Sequence, residues 1–164
     1  MVDRIPLISY GRAKEAVPFL QISLKRWPGA DYNRLFLYLA RALSGDEAAA
    51  RAELASPSTE QSEQWAGRLI EYETRRLDDD ALRKLATVDV TGNLAGQACE
   101  ASFYIGLRHW IDGNVAAGEA LLIRAANECP RTFTEAMIAK AWLAAGPGLA
   151  QEATVAPLTK SATR

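Results

Sequence analysis

Residues 99–132, CEASFYIGLRHWIDGNVAAGEALLIRAANECPRT, decide the fold, because they contain two helical patterns joined by a turn. The first pattern is apolar on more than one face, which predicts a helix that neighbouring elements bury. Gly113 supplies the left-handed backbone that ends this helix, and Asn114 caps the next one through its side-chain oxygen. The second pattern is mostly alanine, leucine and isoleucine and ends before Pro130. The stretch therefore predicts two antiparallel helices joined by a tight turn.

Turn-forming residues recur along the chain at a fixed interval of 34 residues. Counting back from Gly113 reaches Asp79, Gly45 and Gly11, and counting forward reaches Pro147. Each of these positions is expected to fall on a turn. A register kept across the whole chain predicts stacked helix pairs, and an unrelated helical bundle is the alternative.

This pattern resembles the tetratricopeptide repeat, a helix pair of 34 residues with small side chains at the helix crossing and a closing proline. Gly106, Ala125 and Pro130 match the unit, whereas its tryptophan, tyrosine and alanine are replaced by Ser102, His109 and Gly118. The C-terminal CEA-FY-G, CP and F-E elements are also similar to those of bacterial repeat proteins, some of them exported. The resemblance implies an all-α, right-handed solenoid of about three full units with flanking helices.

The sequence predicts a helical repeat domain over residues 1–149 and a disordered tail over 150–164, which is small, polar and unpatterned. Residues 1–10 take the place of a first helix that Pro6 would interrupt. They are either a short natural cap or the point where a longer repeat protein has been cut. The predicted helices cover residues 12–26, 31–43, 46–55, 59–76, 80–87, 99–111, 115–128 and 133–145.

Composition and charge argue against several classes of function. The 19 basic and 20 acidic residues give a net charge of -1, without the basic excess typical of nucleic-acid or anionic-membrane binding. His109 is the only histidine, which leaves no Ser/His or Cys/His catalytic set beyond it. The run Asp78, Asp79 and Asp80 lacks the ligand spacing of a calcium loop. We therefore predict no enzyme activity, no cofactor, no metal, no nucleic acid and no membrane partner.

The resemblance implies a scaffold that binds a protein or peptide on its concave face, which the first helix of each unit lines. Three alternatives stay open. The helix over residues 133–145 or the tail of the same chain buries this face, the face joins two copies of the chain in a homodimer, or the chain is the C-terminal part of a longer exported repeat protein. The side chains that the family register places on the concave face are Tyr32, Leu35, Leu39, Leu69, Glu73, Arg76, Glu100, Phe103, Leu107 and Trp110.

The two cysteines stand where an antiparallel helix pair would bring them together, Cys99 at the start of one helix and Cys129 at the end of the next. A disulfide between them would close the chain from Cys99 to Cys129 into a loop. It would raise the free energy of unfolding by roughly 3 to 4 kcal/mol if the geometry allows it. Two buried thiols are the alternative. The exported relatives favour the bridge and a periplasmic location after removal of a leader, whereas the lack of a signal peptide favours a reduced, cytoplasmic chain.

Overall fold

The computed structural model describes residues 6–9, 12–56 and 64–145. Within these ranges the chain forms helices and no strands, so the predicted all-α class is confirmed. The helices are α1 (Pro6–Ser9), α2 (Ala13–Arg26), α3 (Asp31–Ala42), α4 (Glu47–Leu54), α5 (Gln64–Glu73), α6 (Asp79–Leu85), α7 (Leu94–Ile111), α8 (Val115–Glu128) and α9 (Thr134–Ala145).

The predicted helix boundaries are close to the observed ones except at the end of α5 and the start of α7, and the predicted start of α5 at residue 59 lies outside the described residues. Helix α5 ends at Glu73 rather than Arg76, because Arg75 takes a left-handed backbone with φ of 64°. Helix α7 begins at Leu94 rather than at 99, because the Asn93 side chain accepts a hydrogen bond from the Gly96 N–H at 3.0 Å. The prediction missed this cap because it placed the start of the helix by the repeat register.

The register of turns is kept in part. Gly45 and Gly113 both lie in turns with positive φ, of 87° and 86°. Asp79 does not, since it is the first residue of α6 and follows the Asp78 cap. Gly11, Pro147 and the tail predicted to be disordered lie outside the described residues.

Successive helices pack against each other along most of the chain, and α3, α5, α7 and α9 also contact one another in series. Helix α1 contacts both α2 and α9, which brings the two ends of the described chain together. The Trp142 Nε1–H of α9 donates to the backbone oxygen of Ile8 at 3.2 Å, and the Ile8 side chain is fully buried. Contacts therefore run in a closed circuit through α1, α2, α3, α5, α7 and α9.

Helices α7 and α8 cross at two glycines. A Cβ atom built on Gly118 would lie 2.7 Å from the Gly106 backbone oxygen and 2.9 Å from the Trp110 backbone nitrogen. Side chains of normal size at this crossing would force the two backbones apart. At the other end of the pair Cys99 and Cys129 are joined by a disulfide, with their Cα atoms 5.0 Å apart.

Candidate interaction surfaces

Most side chains assigned to a concave binding face lie in the interior of the protein. Tyr32 is half-buried and Arg76 is exposed, and the others are buried. Because α3, α5 and α7 pack in series inside a closed circuit, their facing side chains cover one another. In this conformation they do not form an open groove that a partner can reach. The buried members are Leu35, Leu39, Leu69, Glu73, Glu100, Phe103, Leu107 and Trp110.

One buried carboxylate ties three of these helices together. Glu100 Oε2 on α7 accepts hydrogen bonds from the Tyr32 hydroxyl of α3 at 2.9 Å and from the Trp65 Nε1–H of α5 at 2.7 Å. Hydrogen bonds to one buried acceptor form only when the donors are held in the right geometry. Glu100 therefore fixes the relative positions of α3, α5 and α7.

Glu73 is a second buried acidic side chain, and among the described residues it lacks hydrogen bonds of the kind that Glu100 accepts. Its side chain is 1% exposed, and neither oxygen has a hydrogen-bond partner among the described residues. The nearby Tyr38 hydroxyl donates to Glu47 Oε1 at 3.4 Å. Burial raises the pKa of Glu73 to about 8, although the Arg108 guanidinium opposes this rise. Glu73 therefore holds its proton at neutral pH.

We expect Glu73 to make the protein less stable as the pH rises. The pKa of Glu73 is about 8 in the folded protein, against an ordinary value of 4.5 for a glutamate side chain. Between these two values the folded state holds a proton that the unfolded chain has released. Folding then takes up a proton, and the free energy of unfolding falls by about 3 kcal/mol from about pH 5 to about pH 8. Glu73→Gln is expected to remove this pH-dependent contribution. Urea unfolding of the parent and the variant at several pH values measures the difference.

The matched control is Glu119→Gln, on the exposed side of α8. Burial also raises the pKa of Glu135, but this group is present in parent and variants alike. Subtracting the profiles therefore isolates the contribution of Glu73. Parallel stability profiles for the parent and Glu73→Gln would contradict the assignment.

His109 takes part in a small network between α6 and α7. Its Nε2 lies 2.6 Å from Asp79 Oδ2, and the Tyr72 hydroxyl donates to Asp79 Oδ1 at 2.8 Å. Burial raises the pKa of Asp79, but the hydrogen bonds from His109 and Tyr72 outweigh it and leave that pKa lowered. His109 stands where the repeat family has tyrosine, and these contacts give it a role in holding α6 against α7.

An open groove lies between α5 and the segment formed by α6 and the loop after it. Its volume is about 380 Å³. Trp65 and Leu85 contribute apolar surface to it, and the ion pair between Arg68 and Glu71, at 2.8 Å, lies on the α5 side. The residues that line this groove are Gln64, Trp65, Gly67, Arg68, Glu71, Leu85, Val88 and Val90.

The loop over residues 86–93, which forms one wall of the groove, is held in place by Gln97. The buried Gln97 side chain donates to the Val88 backbone oxygen at 2.8 Å and accepts from the backbone N–H groups of Val90 at 3.0 Å and Thr91 at 3.1 Å. The Val88 and Val90 side chains nevertheless stay 55% and 43% exposed. The protein thus fixes this loop while leaving two of its apolar side chains in solvent beside the groove.

A second cavity, of about 200 Å³, lies between α2, α3 and α4, but structural contacts occupy its polar side chains. Arg34 donates to the backbone oxygens of Leu54 at 2.8 Å and Ser56 at 2.6 Å, which satisfies the end of α4. Arg41 pairs with Asp46 and Glu53. The arginines of this cavity therefore hold the helices together, and the groove beside residues 86–93 is the better candidate for binding.

No protein-family model, no curated protein and no solved structure matches this chain. Within the described ranges no group of histidine, cysteine, aspartate and glutamate side chains could hold a metal ion. Among the same residues, no helix is long and apolar enough to span a bilayer.

This groove was not predicted from the sequence. The segment TVDVTGNLAG, residues 87–96, carries the available signals: two valines separated by one residue, turn-forming residues, and the Asn93 cap. The side chain that fixes the loop, Gln97, lies on the following helix and hydrogen bonds back to the loop. Such a contact gives no periodic pattern in the sequence.

Proposed function

We propose that this chain is a non-enzymatic protein-interaction scaffold built from tetratricopeptide-like helix pairs. We further propose that a partner protein or peptide docks at the groove between α5 and residues 86–93. The observation that carries the proposal is the ordered loop that keeps Val88 and Val90 exposed beside an apolar groove of about 380 Å³.

Three features support the repeat arrangement. Helices α3, α5, α7 and α9 contact one another in series, as the first helices of stacked units do. Gly106 and Gly118 stand at a close helix crossing, where the family has small residues. Gly45 and Gly113, 68 residues apart, take the same left-handed conformation. The contact between α1 and α9 is a departure, because the ends of an open solenoid stay apart.

The chemistry of the groove favours a partner that inserts one apolar side chain. Trp65 and Leu85 would contact that side chain, and Val88 and Val90 would be covered around it. Burying each exposed valine contributes on the order of 1 kcal/mol. The Arg68 and Glu71 pair offers one charge of each sign to orient the bound segment. The disulfide supports an oxidising compartment as the place of action.

Val88→Asp combined with Val90→Asp is expected to weaken partner binding at least tenfold, because it places charge where apolar surface would be buried. Ile123→Asp is the matched control, since Ile123 is a 46% exposed apolar residue on α8 and no part of the groove. Binding is measured by affinity capture from the source cells, followed by titration of the identified partner.

Analytical ultracentrifugation of the purified chain separates a foreign partner from a second copy. A monomer whose captured partner is lost only in the valine variant supports the proposal. A concentration-dependent dimer that the same variant dissociates would assign the groove to self-association instead. Equal capture by the variant and the parent would overturn the groove assignment.

A further inference from the structure

Both walls of the groove are attached to the start of α7. Gln97 on this helix holds the loop over residues 86–93 through hydrogen bonds to its backbone. Glu100 Oε2 on the same helix accepts a hydrogen bond from the Trp65 Nε1–H of the α5 wall at 2.7 Å. Cys99 lies between these two residues. The part of α7 that positions the groove therefore carries one half of the disulfide.

The disulfide lies at the base of the first turn of α7. Because α7 and α8 are antiparallel, Cys99 faces Cys129, the residue that directly follows α8. Residues 94–98 thus extend past the end of α8, and within this turn only Gly96 and Gln97 are buried. The first N–H groups of a helix have no partner inside the helix, so such a turn frays unless other contacts hold it. The bridge is a covalent attachment beside a turn that has little packing of its own.

The disulfide also fixes the segment that packs against this turn. A Cβ atom built on Gly96 would lie 3.0 Å from the Phe133 ring, so the ring lies directly against the turn. Phe133 follows closely after Cys129, and its N–H donates to the Pro130 backbone oxygen at 2.9 Å. The Gly96 N–H is also the group that the Asn93 side chain caps. Without the bridge, the turn and the segment that carries Phe133 lose the covalent link that keeps them together.

We propose that this disulfide controls the groove: oxidation of Cys99 and Cys129 fixes the first turn of α7 and thereby holds the loop over residues 86–93 in its binding position. The chemistry is thiol–disulfide exchange. The two cysteine thiols lose two electrons and two protons as the bond between their sulfur atoms forms, and the disulfide of an oxidant takes them up to become two thiols. The bridge then persists, because both cysteines are buried. The chain therefore acquires an ordered groove in an oxidising compartment.

The control of partner binding rests on the proposed function, because it requires that the partner docks in the groove. The ordering of the loop by the bridge does not depend on any partner. A loop that is already held in its bound position loses less conformational freedom when a partner binds. The reduced chain has to order the loop and the first turn of α7 during binding, so it binds the same partner more weakly.

The test is hydrogen exchange, measured by NMR on the purified full chain in its oxidised form and after reduction in denaturant and refolding. The N–H groups of Val90, Thr91 and Gly96 report on the loop and the turn, because each donates to the Gln97 or the Asn93 side chain. We expect reduction to raise their exchange rates roughly tenfold or more. Thiol titration verifies the reduction, and circular dichroism verifies that the reduced chain folds.

The matched control within the same experiment is the Ala81 N–H. The Asp78 side chain caps it in the same way, at 2.8 Å, on a different helix from those that the bridge joins. Reduction should leave the exchange of this group unchanged. An equal rise at Ala81 and in the loop would overturn the proposal, because it would show a general loosening of the protein.

A pair of variants separates the loss of the bridge from the loss of global stability. Leu122→Ala removes a fully buried side chain from α8 and destabilises the protein while it keeps the disulfide. It should leave the exchange of Val90 and Thr91 unchanged, whereas Cys99→Ala with Cys129→Ala should raise it as reduction does. Equal rises in the two variants would overturn the proposal, because the loop would then follow global stability alone.

Partner capture by the oxidised and the reduced chain tests the control of binding. We expect the reduced chain to capture roughly tenfold less of the partner that the parent captures. Unchanged loop exchange after verified reduction would overturn the proposal, whatever the capture experiment gives. Raised loop exchange with equal capture would overturn the redox control of binding. In that case a loss of the partner by the valine variant would still support the groove, whereas equal capture by the valine variant would overturn the proposed function as well.

Discussion

Gly118→Leu is expected to prevent folding, or to lower the free energy of unfolding by more than the roughly 1 to 3 kcal/mol that is typical of an overpacked core. A Cβ at this position would lie 2.7 Å from the Gly106 backbone oxygen and 2.9 Å from the Trp110 backbone nitrogen. Because these neighbours are backbone atoms, rotation of a side chain cannot relieve the contact. The higher helix propensity of leucine recovers only about 1 kcal/mol. Urea unfolding followed by circular dichroism measures the change.

Ala120→Leu is the matched control, since it adds a leucine to the exposed side of the same helix. It should change the free energy of unfolding by less than about 0.5 kcal/mol. Gly106→Leu should also destabilise the protein, because a Cβ there would lie 3.1 Å from the Gly118 oxygen. A stability of Gly118→Leu equal to that of Ala120→Leu would show that the α7 and α8 backbones do not approach this closely.

Removal of the disulfide should have the second largest effect. Cys99→Ala with Cys129→Ala is expected to lower the free energy of unfolding by roughly 3 to 4 kcal/mol, because the unfolded chain regains the freedom that the bridge restricts. Alanine leaves no polar group in a site where both residues are buried. Calorimetry of the parent with and without a reducing agent, beside the double variant, measures the loss.

In this experiment the double variant serves as the control for the reducing agent, which should destabilise the parent and leave the variant unchanged. Thiol titration of the native and denatured parent counts free cysteines directly. An unchanged melting temperature of the parent after verified reduction would contradict a stabilising bridge. Two titratable thiols in protein purified without a reducing agent would contradict the bridge itself.

Local chemistry made the helices and the α7–α8 pair predictable. Glycine at Gly113 permits the left-handed turn, and the small residue Gly106 marks the crossing with α8. These signals lie within a few residues of the features that they cause. The start of α7 was missed because the Asn93 cap lies outside the repeat pattern from which the boundary was taken.

Local signals of this kind could not predict the closed circuit of helix contacts, because the circuit depends on a contact between residues far apart in the sequence. Trp142 reaches the backbone of Ile8 across 134 residues. An apolar helix face in the sequence predicts that something covers it, without indicating whether a partner or the chain itself does so. Thus Leu39 and Phe103 were predicted to face a partner, whereas the chain itself buries both side chains.

The groove depends on the way one side chain, Gln97, holds the loop that ends in Asn93. In the sequence, Val88 and Val90 look like ordinary loop residues, because their exposure depends on the position of the loop against α5. The exposure of Val88 and Val90, which requires the fold, makes this loop part of a candidate surface.

The central claim, that the groove beside residues 86–93 binds the partner, is tested most directly by photo-crosslinking from single sites. A crosslinking amino acid would replace Val88 in the groove, Arg76 as the exposed member of the predicted concave set, or Ile123 on α8. We predict an adduct with one partner protein from position 88 and none from positions 76 and 123. An adduct from position 76 with none from position 88 would contradict the account and return the partner to the concave face.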